Sequence, residues 1–124
     1  MSIETFRAAV ERADLDAVVA TLAPGVVLHS PVTFKPFEGR DAVAFLFSIL
    51  LRTFEDFRYI EEFHSSDGSS VLRFRTRVGD REVEGIDLIH FDADGLIDDF
   101  TVMVRPLSAA LALRDAVGAQ LTAN

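Results

Sequence analysis

The apolar positions change their period part-way along the chain. Across residues 3–13, Phe6, Ala9, Val10 and Ala13 recur at helical spacing, which predicts an amphipathic helix with Ser2 as its cap. Asp14 is placed to cap a second, shorter helix carrying Leu15, Val18, Val19 and Leu22, ended by Pro24-Gly25. Residues 26–30 form a short β-branched run stopped by Pro31 and read as a strand. A loop holding Pro31, Pro36 and Gly39 leads into a helix that begins near Asp41. There Val43, Phe45, Leu46, Phe47, Ile49, Leu50 and Leu51 surround the helix axis almost completely, which predicts burial on most sides.

From Phe57 onward the period is two. Strands are predicted over residues 57–63, 71–78, 82–91 and 96–104, with connections short enough to make neighbours antiparallel. A last helix over residues 107–121 follows Pro106. Helices followed by a four-stranded meander give an α+β layout with the helices on one sheet face. Strand parity assigns Leu72, Phe74 and Thr76, then Gly85, Asp87 and Ile89, then Phe100, Val102 and Val104 to one face. Asp87 is the one carboxyl on that apolar wall, and no Arg or Lys shares its face. Loss of hydration should raise its pKa and let it act as a neutral hydrogen-bond donor.

The opposite face carries Arg73, Arg75 and Arg77, then Glu82 and Glu84, with Ile86, Leu88 and Met103 in the middle. If Gly79-Asp80 is a two-residue turn, Arg77 lies opposite Glu82 and Arg75 opposite Glu84. Each such pair is worth a few tenths to ~1 kcal/mol. An apolar centre with a polar surround predicts a homodimer through this outer sheet face.

Composition narrows the classes of function. The chain has 124 residues, 49% hydrophobic and 26% charged, which predicts one folded domain over residues 1–124. Its net charge of -8 repels phosphate backbones and anionic lipid, so neither nucleic acid nor a membrane surface is an expected partner. There is no Cys, which removes disulfides, thiolate metal sites and Cys nucleophiles. The opening residues do not read as a signal peptide, and the apolar stretch 43–51 is too short to span a bilayer, so a cytoplasmic location is expected. His29, His64 and His90 share no ligand spacing. In the cluster Asp92, Asp94, Asp98 and Asp99, Gly95 comes too early for an EF-hand loop. No metal is expected, and with no phosphate-cradling glycine loop no cofactor is expected either.

The run Gly85-Ile86-Asp87-Leu88-Ile89-His90-Phe91-Asp92-Ala93-Asp94-Gly95-Leu96-Ile97 resembles the signature of the ketosteroid isomerase and SnoaL-like polyketide cyclase relatives in the nuclear transport factor 2-like superfamily. Asp14, Ser30-Pro31-Val32 and Phe37-Glu38-Gly39-Arg40 fall in the same frame without a gap. The resemblance implies a cone: a curved, mainly antiparallel sheet wrapped around the N-terminal helices and one long buried helix, with a C-terminal helix. It also implies a pocket inside the cone and a dimer through the outer sheet face. The isomerase's oxyanion-binding Asp falls on Asp87. Its general-base Asp, directly before a Pro, falls on Ser30, and its catalytic and supporting Tyr fall on Phe6 and Phe47. With Tyr59 the single tyrosine, the tyrosine network is expected to be absent and standard steroid isomerase activity low.

The candidate chemistry is therefore Asp87, with Ser30 or His29 beside it. His29 is the one plausible general base there, although parity points it outward. Phe6, Phe47, Phe74, Phe100 and Val102 either line a cavity for a small apolar molecule or fill the core. Three readings stay open: a proton-transfer or cyclase-type enzyme, a non-catalytic binder of an apolar carbonyl or hydroxyl compound, and an accessory dimerisation domain with a filled cone.

Overall fold

A computed structural model describes residues 3–122, and the cap expected at Ser2 lies outside them. The element order is α1 (Ile3–Glu11), α2 (Leu15–Ala20), β1 (Leu22–His29), β2 (Phe37–Glu38), α3 (Arg40–Thr53), β3 (Glu55–His64), β4 (Ser70–Val78), β5 (Arg81–Phe91), β6 (Ile97–Arg105) and α4 (Leu107–Thr122). The strands form one sheet in the order β2-β1-β6-β5-β4-β3. β3 to β6 are the antiparallel meander that the alternation predicts, while β1 pairs parallel to β6 and β2 antiparallel to β1. The helices pack against one face of this mostly antiparallel sheet, which makes the protein α+β, with the cone expected of it.

Two sequence-based expectations are corrected at the N-terminal side. Asp14 does cap α2, its Oδ1 accepting the Ala17 N–H at 3.1 Å. The helix nevertheless stops before Leu22, and Pro24-Gly25 lies inside β1 rather than ending α2. Leu22 pairs with Ile97 and Val27 with Asp99, so exposed Pro24 and Gly25 bulge outward between these two points. A proline has no N–H for the ladder, and a bulge is where a strand tolerates one. Arg40 satisfies the Leu22 carbonyl beside this bulge with two donations, at 3.1 Å and 2.7 Å. The loop after Pro31 contains β2, too short for an alternation to announce it.

Register on the four-stranded part agrees with parity. Leu72 pairs with Asp87, Phe74 with Gly85 and Thr76 with Val83; across the next ladder Asp87 pairs with Val102 and Ile89 with Phe100. Gly79, at φ 60°, closes the two-residue turn before Arg81. On the outer face Glu84 accepts from Arg73 at 2.7 Å, Arg75 at 3.2 Å and Arg105 at 3.2 Å. The Arg73 hydrogen bond is the main reason its carboxyl lies at about 2. Arg77 is opposite Glu82 in register, yet its guanidinium pairs with Glu55 and Asp56 on β3 instead.

The core lies between the concave sheet face and the helices. Phe6, Phe47 and Phe100 meet edge-to-face with centroids 5.4–6.3 Å apart, an arrangement favoured by the ring quadrupole. Burial of α3 is less complete than its composition predicts: Val43, Leu46, Phe47 and Ile49 are buried, but Phe45 is 47% exposed. In α4, Leu113 and Val117 are buried while Leu107, Leu111 and Leu121 are exposed. No helix among the described residues is long and apolar enough to cross a membrane.

Candidate functional site

The concave sheet face, α1, α3, α4 and the residues after β1 enclose an open cavity of about 470 Å³. That is within the size range of small-molecule sites. The expected ligand residues Phe47, Phe74, Phe100 and Val102 are on its wall, together with Leu46 and Leu50 of α3 and Leu113 and Val117 of α4. Phe6 is the exception. It is fully buried behind Phe47 and Phe100 and supports the wall without lining it.

Asp87 reaches the cavity from the middle of β5, 5% exposed. The Tyr59 hydroxyl donates to its Oδ2 at 2.7 Å and is the only hydrogen-bond partner of this carboxyl among the described residues. The second oxygen has no hydrogen-bond partner among the described residues. Burial disfavours the carboxylate and raises the Asp87 pKa to about 7, with the Tyr59 hydrogen bond pulling more weakly the other way. The Tyr59 phenol moves well above its ordinary value, first because it is buried and then because Asp87 is beside it. Near neutrality this pair holds an acid that can either give or take a proton.

With one tyrosine there is no tyrosine network, but a single phenol reaches Asp87 from a different element. Phe6 and Phe47 cannot donate a hydrogen bond, but Tyr59 on β3 reaches across β4 to β5. It pairs with Phe74, which pairs with Gly85, two residues before Asp87. Gly85 makes this layering possible: a Cβ there would stand 2.5 Å from Phe74 Cζ and 2.4 Å from the Met103 carbonyl oxygen. With that space open, the Phe74 ring stacks on Phe57 at 4.9 Å and meets Tyr59 at 6.3 Å. A signal for Tyr59 exists in the sequence. A phenol in the alternating row Phe57, Tyr59 is a buried hydroxyl in need of an acceptor.

Ser30 and His29 separate. Ser30 lines the cavity, and its Oγ accepts the Val32 N–H at 3.1 Å, the arrangement of a turn hydroxyl before Pro31. His29 does not line the cavity; its ring pairs outward with Asp99 at 3.0 Å. Alternation along β1 makes this unavoidable, since Leu28 takes the inward position. His64 pairs with Ser70 and Glu62, and His90 with Asp98. Asp92 folds back on the backbone of Asp94 and Leu96 at 2.9 Å, so the acidic run is a turn. No group of metal-ligating side chains occurs among the described residues.

A SnoaL-like domain family model matches residues 3–100 of this chain. No curated protein matches it. Among solved structures, a steroid delta-isomerase from Pseudomonas aeruginosa is 42% identical over 98% of this chain and 89% of its own, with a TM-score of 0.93. An uncharacterised cystatin-like protein from Silicibacter pomeroyi DSS-3 is 33% identical over 97% of this chain and 84% of its own, with a TM-score of 0.91. A nuclear transport factor 2-like protein of unknown function from Mesorhizobium loti, at 23% identity and a TM-score of 0.74, covers 84% of this chain and 88% of its own and shares the fold. With the cone, its apolar cavity and the Asp87 strand in place, the chain belongs to the SnoaL-like domain family of the nuclear transport factor 2-like superfamily.

Proposed function

We propose that this protein binds a small apolar molecule bearing a carbonyl or hydroxyl, of steroid, terpenoid or polyketide type, in the cone cavity. Asp87 hydrogen-bonds that oxygen and serves as the acid or base in an isomerase- or cyclase-type proton transfer. The observation that carries this reading is the buried carboxyl of the cavity wall, set in the middle of the sheet face, hydrogen-bonded by one phenol and held at about 7, while the other carboxyls of the lining, Glu11 and Asp56, are exposed. Such a group changes protonation near neutral pH without leaving the site, and an acid–base catalyst works best in that range. The open cavity speaks against the filled-cone alternative. The name carried by the Pseudomonas aeruginosa relative supports a ligand of steroid size.

Two positions set limits on the chemistry. Ser30 stands where ketosteroid isomerases place their base, and Phe6 where they place a tyrosine. Loss of a general base costs ~10²–10⁴ in rate and loss of an oxyanion donor ~10²–10³. A thermal-shift screen with steroids, terpenoids and aromatic polyketides should give stabilising hits that Asp87→Ala weakens. Turnover of a β,γ-unsaturated ketosteroid should lie far below that of an authentic isomerase. Binding that ignores Asp87→Ala would reject the assignment of Asp87, and turnover within tenfold of an authentic isomerase would show that Ser30 and Phe6 do not limit this site.

A further inference from the structure

β3 is the sheet's edge, so the backbone groups on its outer side find no strand partner. At Tyr59 both are taken by α1. The Tyr59 N–H donates to Glu11 Oε2 at 3.2 Å, and the Tyr59 carbonyl accepts from Arg7 Nη2 at 3.1 Å. Arg7 and Glu11 are one helical turn apart and pair with each other at 3.5 Å. Arg7 is tied further to Glu62 at 3.5 Å, and its guanidinium lies 6.0 Å from the Tyr59 ring centroid. On the inner side the ladder slips at this point: Tyr59 pairs with Phe74 and Glu61 with Arg73. The backbone of the residue that serves Asp87 is thus gripped from outside just where the sheet's own register is interrupted.

We propose that Arg7 and Glu11 are positioning residues that clamp the Tyr59 backbone from α1 and so hold the Tyr59 hydroxyl on Asp87. Neither touches Asp87; both act through Tyr59. This rests on Asp87 being the cavity's acid. The clamp converts the fixed placement of α1 into a fixed direction for the phenol, which leaves the other Asp87 oxygen directed at the ligand space. Other charged groups lining the cavity are Asp56 from β3 and Arg114 from α4; Glu62 and, through it, His64 face the clamp via Arg7, while α3, β4 and β6 present apolar side chains to the cavity.

The chain has one Tyr and no Trp, so its tyrosine emission belongs to Tyr59 alone. The Asp87 titration can be followed by carboxyl-carbon NMR, its resonance assigned by Asp87→Asn, in protein without ligand. Losing the phenol hydrogen bond removes the one interaction that lowers the Asp87 pKa. Tyr59→Phe should therefore raise the midpoint by about one pH unit, a tenfold change in the ionisation constant. Arg7→Met and Glu11→Leu should move it the same way. They should also abolish the change in tyrosine emission that accompanies Asp87 ionisation. Glu11→Gln retains an oxygen for the Tyr59 N–H and should keep wild-type values. If Glu11→Leu does not fold, Arg7→Met decides, since its methylene stem preserves the packing. Wild-type values in a folded Arg7→Met or Glu11→Leu, or a Glu11→Gln displaced as far as Glu11→Leu, would overturn the proposal. The readout needs no ligand, so its failure is separate from a failure of Asp87→Ala to weaken binding.

Discussion

Replacing Asp87 by Asn removes one ionisation from the cavity while preserving the side chain's shape and an oxygen for the Tyr59 hydroxyl. In the unfolded chain this carboxyl ionises near 3.8, and in the folded protein at about 7. Below the lower value both states carry the neutral acid. As pH rises, the unfolded chain loses its proton first, which favours unfolding. The stability contributed by Asp87 is therefore fully present below 3.8, declines across the window and is gone above about 7. At about 1.4 kcal/mol per pH unit the interval corresponds to ~4 kcal/mol at most, and water entry or relaxation on ionisation reduces it. Asn has no such dependence. Urea unfolding of wild type and Asp87→Asn, followed by circular dichroism from acid to mildly alkaline pH, should give a stability difference that shifts toward the variant by ~2–4 kcal/mol. A difference that stays constant across the window would refute the raised ionisation. A loss of more than ~2 kcal/mol in the variant at neutral pH would mark Asp87 as an ionised, paired structural group instead.

Gly85→Ala should destabilise by ~1–3 kcal/mol, because the added methyl must displace the Phe74 ring or the β6 backbone; chemical denaturation checks this, and a neutral result would mean that Phe74 can turn aside freely. The outer sheet face presents Leu88 and Met103, 37% and 51% exposed, beside the arginine cluster on Glu84. A homodimer through this face is expected in sedimentation at tens of micromolar and should dissociate in Leu88→Arg; a monomeric wild type, or a dimer unaffected by that change, would count against it.

How much of this was legible in the sequence depends on which residues needed only their neighbours. Alternation places the inner side chains from Leu72 to Ile89 and from Phe100 to Val104, because these strands have short connections and one buried face; fully buried Ile97 falls out of phase because the β5–β6 ladder shifts register between His90 and Phe91. Asp87 stands out for that reason. Pro24-Gly25 misleads, since the same dipeptide that ends helices also fits a bulge, and only the parallel pairing with β6 decides between them. β1's position beside β6 depends on residues some seventy positions apart, a separation no local pattern encodes. His29 and Ser30 were separable by parity, which the structure follows. Tyr59 is different. Its strand carries two register shifts, and its partner lies two strands away, so its role depends on the layering of β3, β4 and β5.

A cavity whose buried acid is Asp87 alone among the described residues would discriminate unevenly under the proposed function. A ligand that lacks the carbonyl or hydroxyl leaves a buried carboxyl without its second partner, and sites of that kind reject such analogues by ~10⁴–10⁵. Elsewhere on the wall Leu113, Val117 and Phe47 would offer such a ligand only shape, where one methylene more or less would change affinity by ~10–200-fold. Under the proposed function, ligand selection would accordingly be strict about where one oxygen sits and permissive about the carbon skeleton behind it.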